Sequence, residues 1–248
     1  MAVKPCVPGQ ICVFLVDDHP LLRKGIADCI NAEPDLCVCG EAGNAAEACA
    51  GILRLRPDVA VVDISMPGRD GIELLKDLRA QNSATRLLVF SMHDESLYAL
   101  RALRAGASGY VMKSDTEDHL LNSIRAVHAG EVAVSPRLDS ELLRQAVGQT
   151  PSRKADPTEQ LSDRELQIMR LMGDGCQRKE IAAELGLSVK TIESHRARMC
   201  HKLRLLGRDA LYRYAATLKA RESAGGPVTA GKARRRARTT ESGSAKNT

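Results

Sequence analysis

The sequence predicts an α/β doubly wound domain with a five-stranded parallel sheet, followed by a small all-α domain that contains a helix-turn-helix. Three observations lead to this prediction. The first half of the chain alternates short β-type runs with helical stretches, a polar segment with several prolines follows, and the region after it contains only helix-like segments. The 248 residues, 44% of them hydrophobic, are enough for two separate cores.

The alternating half contains five predicted strands and five predicted helices. The strands are residues 11–16, 36–40, 59–62, 87–90 and 110–112, and the helices are residues 20–31, 45–55, 71–80, 97–105 and 117–128. Runs that are apolar throughout, such as 59–62, are typical of strands buried on both faces. Parallel neighbours need a helix-length connection, so the alternation predicts a parallel sheet with helices on both faces. Any ligand is then expected at the carboxyl ends of the strands.

The rest of the chain divides into a linker, a helical domain and a tail. The predicted linker is residues 131–157, with one short helix at 139–146. The second domain is residues 158–219, with helices at 162–172, 178–185, 189–203 and 208–218. Residues 220–248 contain a single Val among Gly, Ala, Ser, Thr and Arg, so burial cannot offset their chain entropy. We therefore expect a basic disordered tail there.

The positive charge of the chain lies at its C-terminal end. Residues 1–157 carry 17 Lys and Arg against 21 Asp and Glu, residues 158–219 carry 12 against 8, and residues 220–248 carry 7 against 2. Lys and Arg at phosphates displace condensed counterions, so we expect a polyanionic partner for this end. The tail either adds non-specific DNA affinity or is a solvated terminus.

Aromatic residues make up only 2% of the chain, which argues against recognition by base stacking.

The eight cysteines show no CxxC pair and lie largely inside apolar patterns. We interpret them as reduced, mostly buried thiols rather than metal ligands or disulfides. They are Cys6, Cys12, Cys29, Cys37, Cys39, Cys49, Cys176 and Cys200. The N-terminus lacks a signal-peptide cleavage site, and no apolar run reaches the roughly 18 residues of a membrane helix. These features predict a cytoplasmic protein with no membrane partner.

Acidic residues follow two of the predicted strands directly. Asp17 and Asp18 follow the first strand, and Asp63 follows the third. These strands are neighbours in a doubly wound sheet, so we expect the three carboxylates to converge. Clustered carboxylates raise one another's pKa unless a cation lies between them. Hard oxygen ligands suit Mg²⁺, which takes one or two carboxylates together with a phosphoryl oxygen.

Ser91 follows the fourth predicted strand and Lys113 the fifth, which places both at the same edge of the sheet. A carboxylate nucleophile, a metal, a hydroxyl and an ammonium group are the parts needed to accept a phosphoryl group, with Asp63 attacking in line. Taken singly, each residue has an ordinary structural explanation as a helix cap, a turn former or a solvated charge. Their conjunction favours phosphoryl transfer.

Four segments closely resemble the receiver domains of bacterial response regulators, which have a flavodoxin-like fold. They are VDDHP at 16–20, VDISMPGRDG at 62–71, FSMHD at 90–94 and GASGYVMK at 106–113. The resemblance covers residues 10–130 and implies that Asp63 is the phosphoacceptor. It also implies Mg²⁺ ligands, phosphoryl contacts and a switch residue. The Mg²⁺ ligands would be Asp17, Asp18, Asp63 and the carbonyl of Ser65, the phosphoryl contacts Ser91 and Lys113, and the switch Tyr110.

The proposed switch would work through local repacking. Phosphorylation adds negative charge at Asp63 and offers new acceptors to Ser91 and Lys113. The loop after the fourth strand would move inward, and Tyr110 would turn into the vacated space and bias a two-state surface. Taken alone, a Tyr in a strand is more often a packing residue, and only the position three residues before Lys113 favours the switch.

Residues 178–203 have the pattern of a helix-turn-helix. A helix is followed by the Gly186-Leu187 turn and a second helix that Ser188 can cap. The inward stripe of the second helix is Ile192, Met199 and Leu203. Its outward face mixes cations with short polar side chains, which suits the major groove of DNA. A solvated amphipathic helix would show the same pattern.

Residues 161–203 resemble the LuxR-type helix-turn-helix of the NarL/FixJ class of response regulators. The matching pieces are LSDRE, KEIA, and TIESH followed by KL. The resemblance implies phosphate contacts from Lys190, Thr191, Arg198 and Lys202, and base-edge contacts from Glu193, Ser194 and Ala197. A Glu at such a position could accept a hydrogen bond from cytosine. Gln177 and Arg178 depart from the pair usual before KEIA, which affects the start of that helix.

Three alternative functions fit the sequence less well than a response regulator does. A haloacid-dehalogenase-type phosphatase needs an acidic residue two positions after the nucleophile, where this chain has Ser65. A transcription factor controlled by a small ligand offers no use for the carboxylate cluster. A degenerate receiver that acts without phosphorylation is disfavoured by the intact set of site residues. We therefore predict a non-enzymatic regulator.

The expected partners follow from the resemblance. A sensor histidine kinase would phosphorylate Asp63, and this would release or dimerise the DNA-binding domain at paired half-sites in double-stranded promoter DNA. The predicted state after phosphorylation is a homodimer, and RNA polymerase is a further candidate partner. The sequence leaves open whether the two domains are docked before phosphorylation.

Overall fold

We describe the chain from a computed structural model, which covers residues 6–66, 68–146 and 157–224. Its first domain contains a sheet whose strands are β1 (Ile11–Val16), β2 (Leu36–Ala42), β3 (Val59–Val62), β4 (Arg86–Ser91) and β5 (Gly109–Met112). Every pairing is parallel, and the strand order is β2-β1-β3-β4-β5. The predicted α/β doubly wound fold is thus confirmed.

Helices connect the strands and form the second domain. In the first domain they are α1 (Pro20–Ala32), α2 (Ala45–Leu55), α3 (Gly71–Ala80), α4 (Glu95–Ala105) and α5 (Glu117–His128). The linker contains α6 (Pro136–Ala146), and a short 3₁₀ turn at Pro157–Gln160 precedes the second domain. That domain contains α7 (Asp163–Gly173), α8 (Arg178–Glu184), α9 (Val189–Lys202) and α10 (Arg208–Ala224).

The alternation of side chains along each strand produces a core on both faces of the sheet. Phe14 and Val16 of β1 belong to the core that includes residues of α2, α3 and α4. Val13 and Leu15 belong to the opposite core, which includes residues of α1 and α5. Burial on both faces explains why these strands are apolar throughout, and it leaves only the strand ends for polar chemistry.

Two helix starts near the candidate sites are fixed by side-chain caps. Asp70 accepts a hydrogen bond from the Glu73 amide at 2.9 Å, which begins α3. Ser188 accepts from the Thr191 amide at 3.0 Å, which begins α9 as the sequence predicts. Such caps satisfy amides that have no partner within the helix.

The structure extends two predicted elements. The linker helix begins at Pro136 rather than at residue 139. The last helix continues to Ala224, so the predicted start of the tail at residue 220 lies inside α10. Residues 225–248, which hold the rest of the predicted disordered tail, lie outside the described residues.

Within the described part of the chain, no helix has the length and apolar character needed to span a membrane.

Candidate functional site

The three predicted carboxylates converge at one edge of the sheet. β1 and β3 pair directly as far as Val16 and Val62, so the residues after each strand lie side by side. Ligand atoms of Asp17, Asp18, His19 and Asp63 all lie within 4.8 Å of one another. Asp17 and Asp63 are buried, with 4% and 3% of their surface exposed. The site is a compact acidic group closed to bulk water on most sides.

Lys113 joins this group from the end of β5. Its ammonium nitrogen lies 2.6 Å from Asp17 Oδ2 and 2.8 Å from Asp63 Oδ2. Burial raises the pKa of Asp63 above its usual value, and Lys113 only partly counters this. The pKa of Lys113 is raised above its usual value, because the effect of the two carboxylates outweighs the effect of burial, which alone would lower it. Lys113 therefore stays protonated and holds the two carboxylates together.

Asp18 supplies an oxygen that the protein leaves unsatisfied. Its Oδ1 is buried and accepts no hydrogen bond, although His19 Nδ1 lies 2.8 Å away. Carboxylate oxygens of Asp17 and Asp63 face the same space. Three hard oxygen donors in one pocket, one of which accepts no hydrogen bond, fit a hard divalent cation. The residues present are thus suited to the metal that the sequence predicts.

Ser91 and Tyr110 complete the predicted set, and both are fully enclosed. Ser91 has no exposed surface, and its hydroxyl accepts a hydrogen bond from the His93 amide at 3.3 Å. The Tyr110 ring has 1% of its surface exposed, and its hydroxyl donates to the His93 carbonyl at 2.9 Å. The ring therefore already lies in the inward position that the switch hypothesis assigns to the activated state.

His93 is a site residue that the sequence reasoning did not single out. Its Nε2 lies 2.7 Å from the Ser65 hydroxyl and 2.5 Å from Arg170 Nη1 of α7, and its ring stacks on Tyr98. Burial, Arg170 and Lys113 lower the pKa of His93 to about 3. A guanidinium can only donate, so the neutral imidazole accepts at Nε2. His93 lies within the FSMHD segment, but its partner Arg170 is 77 residues away in the chain.

The two domains are docked in this structure. Arg101 of α4 donates to the carbonyls of Leu161 and Thr158, both at 2.8 Å, and to the Asp163 carboxylate. On the other side of the interface, Arg164 of α7 donates to the Gly68 carbonyl at 2.9 Å. These contacts bring α7 and α8 against the loop that follows Asp63.

The helix-turn-helix has the predicted inner and outer faces. The turn between α8 and α9 contains Gly186, whose φ of 62° lies in the left-handed region. Ile192 and Met199 have no exposed surface, and Leu203 is half-buried. The outer residues Lys190, Ser194, Ala197 and Arg198 are exposed, and Thr191 and Glu193 are half-buried. Domain docking therefore leaves this surface of α9 open.

Two predicted DNA-contacting side chains have protein partners. The Lys202 ammonium lies 2.6 Å from Oε2 of buried Glu165, and 34% of the Lys202 side chain stays exposed. Burial would raise the pKa of Glu165, but Lys202 and the Ser162 amide outweigh it and lower this pKa. Glu193 forms an ion pair with Arg178 of α8. The sequence pattern correctly placed these residues on α9 but gave no sign of their partners.

Comparison with known families matches both domains. Residues 13–125 match the family described as response regulator receiver domain, and residues 159–215 match bacterial regulatory proteins of the luxR family. The DNA-binding transcriptional activator DevR/DosR of Mycobacterium tuberculosis is 37% identical over 84% of this chain and 94% of its own. The oxygen regulatory protein NreC of Staphylococcus carnosus is 33% identical over 82% of this chain and 95% of its own.

Solved structures agree with this result. A two-component response regulator of the LuxR family from Aurantimonas sp. SI85-9A1 is 40% identical, covering 56% of this chain and 99% of its own with a TM-score of 0.52. RcsB from Salmonella enterica serovar Typhimurium, bound to a promoter in the presence of phosphomimetic BeF₃⁻, is 26% identical. The match covers 84% of this chain and 99% of RcsB, with a TM-score of 0.61. The chain belongs to the NarL/FixJ class of two-component response regulators, which join a receiver domain to a LuxR-type DNA-binding domain.

Proposed function

We propose that a sensor histidine kinase phosphorylates Asp63 in a Mg²⁺-dependent reaction, and that the phosphorylated chain regulates transcription by binding promoter DNA through α9. The observation that carries this proposal is the pairing of Lys113 with Asp17 and Asp63 beside the unsatisfied Oδ1 of Asp18. Phosphoryl transfer to a carboxylate needs a nucleophilic carboxylate, a cationic side chain and oxygen atoms that can bind a metal. Asp63, Lys113 and Asp18 supply these groups in one pocket.

Each side chain has a role in this step. A carboxylate oxygen of Asp63 forms the new bond to phosphorus while the bond from phosphorus to the donor's imidazole nitrogen breaks, and that nitrogen then takes up a proton. Lys113, which already contacts Asp63, neutralises charge on the transferred oxygens, and the Ser91 hydroxyl donates to one of them. Bound Mg²⁺, held by Asp17, Asp18, Asp63 and the Ser65 carbonyl, would supply further neutralisation.

Phosphorylation is proposed to increase the affinity of the chain for DNA by forming a homodimer that binds paired half-sites. RNA polymerase is a candidate partner at the promoter.

The test is a binding titration of the full chain on a duplex enriched from random sequence, before and after incubation with acetyl phosphate and Mg²⁺. We expect the protein to bind the duplex more tightly after incubation and to have a larger molecular mass in solution. Identical affinity and mass in both states would contradict the proposal.

We expect Mg²⁺ to raise the unfolding temperature of the receiver domain. A ligand that binds only the folded state at 100 times its Kd adds about 2.7 kcal/mol to the free energy of unfolding. The Asp18→Asn variant should lose most of this increase, because it removes a ligand oxygen. Thermal unfolding with and without Mg²⁺ measures the effect. Asp28→Asn, an exposed position on α1, is the matched control and should keep the full increase.

Replacing both Lys190 and Arg198 by Ala should weaken DNA binding and flatten its salt dependence. Each phosphate contact contributes a slope of about 0.9 in log K against log salt, so losing two should reduce the slope by about 1.8. Affinity measured over a series of salt concentrations tests this. Lys24→Ala, an exposed charge on α1, should leave the slope unchanged. An unchanged slope in the double variant would show that another face contacts DNA.

A further inference from the structure

Three cysteine thiols meet at the amino end of the sheet, the end opposite to Asp63. Cys12 of β1 and Cys37 of β2 are register partners in the parallel strand pair. The Cys6 thiol forms side-chain hydrogen bonds with both, and its Sγ lies 3.7 Å from the Cys37 carbonyl oxygen. All three are free cysteines in this structure. They form a group of reduced thiols in contact, outside the phosphoacceptor site.

A tight turn places Cys6 against β1. The Gln10 amide donates to the Val7 carbonyl at 3.1 Å, and Gly9 between them has a φ of 97°. A Gly with positive φ directly after a proline is typical of a type II turn. The Gln10 side chain fixes the turn, because its Oε1 accepts from the Val7 amide at 3.1 Å. The two thiols that flank the turn, Cys6 and Cys12, are therefore held together although their spacing is not that of a CxxC pair.

The three thiols differ in their access to solvent. Cys6 and Cys12 are half-buried, whereas Cys37 has only 2% of its surface exposed. Burial and the neighbouring thiols of Cys12 and Cys37 raise the pKa of Cys6 well above its usual value. The thiolate is the reactive form of a cysteine, so Cys6 is a poor first nucleophile. An external reactant is therefore expected to react first with Cys12.

We propose that Cys6 and Cys12 form a dithiol modification site that small disulfide compounds, such as oxidised glutathione, convert to a disulfide. The Cys12 thiolate attacks one sulfur of the small disulfide, whose S–S bond breaks, and the thiolate that leaves takes up the proton lost by Cys12. Cys6 then loses its proton and attacks the Cys12 sulfur, and the second small thiol leaves with that proton. The two cysteines lose two electrons in all, and the small disulfide gains them.

The contact between the thiols favours the second of these steps. A disulfide bond is about 2.05 Å long, so thiols already in hydrogen-bond contact need only a short further approach. Once Cys12 is part of a mixed disulfide it no longer carries a charge, so it no longer repels a thiolate on Cys6. The site is separate from the proposed phosphoryl transfer, because no step of it involves Asp63.

The test uses the full-length chain, which is reduced, freed of reductant, incubated with oxidised glutathione and then alkylated. We expect two fewer alkylated thiols than in the untreated chain, and the two that are missing should be Cys6 and Cys12. Both lie in the tryptic peptide that ends at Arg23, so their disulfide stays inside one peptide. A bond from Cys6 to Cys37 would join two tryptic peptides and would overturn the choice of Cys12.

The Cys6→Ser variant lacks the thiol that completes the disulfide. Its Cys12 should therefore retain one glutathione as a mixed disulfide, which raises the intact mass. Cys176→Ser is the matched control, because Cys176 is also half-buried but lies between α7 and α8, and this variant should form the disulfide like the unmodified chain. An unchanged number of alkylated thiols in the unmodified chain, or the same loss of two thiols in Cys6→Ser, would overturn the proposal.

Gly9→Ala tests whether the turn brings the two thiols together. A side chain at this positive φ is strained, which disfavours the closed turn. We expect the conversion of the mixed disulfide to the Cys6–Cys12 disulfide to slow by about tenfold, so that the glutathione adduct accumulates. Conversion at the rate of the unmodified chain would show that the turn does not position Cys6.

Discussion

Asp63→Asn is expected to abolish incorporation of phosphate from acetyl phosphate in the presence of Mg²⁺. The amide has nearly the shape of the carboxylate and can keep contact with Lys113 through its oxygen, but it is not a nucleophile toward phosphorus. The loss should therefore be complete while the fold is retained. Intact-protein mass spectrometry or radiolabel counting measures incorporation, and circular dichroism shows whether the sheet and helices are unchanged.

The matched control for this variant is Asp70→Asn. Asp70 is also a buried Asp, with 5% of its surface exposed, and it follows Asp63 by only seven positions. Its carboxylate caps α3, and Asn caps a helix equally well. We expect Asp70→Asn to be labelled like the unmodified chain. Equal labelling of Asp63→Asn and the unmodified chain would place the phosphoacceptor elsewhere and remove the basis of the proposed function.

The acidic site could be predicted from sequence because its members occupy strand ends. An apolar run marks each strand, and the residue after it must lie at the carboxyl edge of a parallel sheet. This rule places Asp17, Asp63 and Lys113 together although they come from three separate strands. The structure adds the arrangement within the group, with Lys113 between two carboxylates and Asp18 left with an unsatisfied oxygen.

The contacts across the domain interface could not be predicted in this way. Hydrophobic periodicity shows which face of a helix is buried, but it does not show which distant charge a surface Arg or Lys will meet. Arg170 and His93 are 77 residues apart, and Lys202 and Glu165 are 37 apart. On the sequence alone, Lys202 is one more cation on a basic helix. In the structure it neutralises a buried carboxylate, so its charge serves the fold of the second domain.

The length of α10 shows a different limit. Residues 220–224 are polar or small, so composition assigned them to the tail, yet the helix continues through them. Between Leu218 and Ala224 the sequence contains neither Gly nor Pro, the residues that most often end a helix. The absence of helix-breaking residues, rather than composition, predicts that the helix continues through residues 220–224.

Gly71→Ala should disable the phosphoacceptor loop and destabilise the receiver. A Cβ at this position would lie 2.2 Å from the Asp63 carbonyl oxygen and 2.9 Å from Ile64 Cα, both of them backbone atoms that cannot rotate away. The Gly71 amide also donates to the Ile64 carbonyl at 3.0 Å, which closes the loop tightly on itself. Relieving the clash requires a shift of the backbone at Asp63 and Ile64 or at residue 71, and a shift at Asp63 would disturb its contact with Lys113.

We expect Gly71→Ala to lower the rate of phosphorylation by at least about tenfold, because displacement of a reacting group by about 1 Å can cost a hundredfold. Overpacking should also lower the free energy of unfolding by about 1–3 kcal/mol, measured by urea titration. Gly25→Ala on α1 is the control, since a Cβ there would have no atom within 4 Å apart from its chain neighbours and the backbone of its own helix. Replacing a helical Gly by Ala there should stabilise by about 0.5–1 kcal/mol. If both variants behave alike, the loop tolerates a side chain, and the position of Asp63 is not set by the close approach of Gly71.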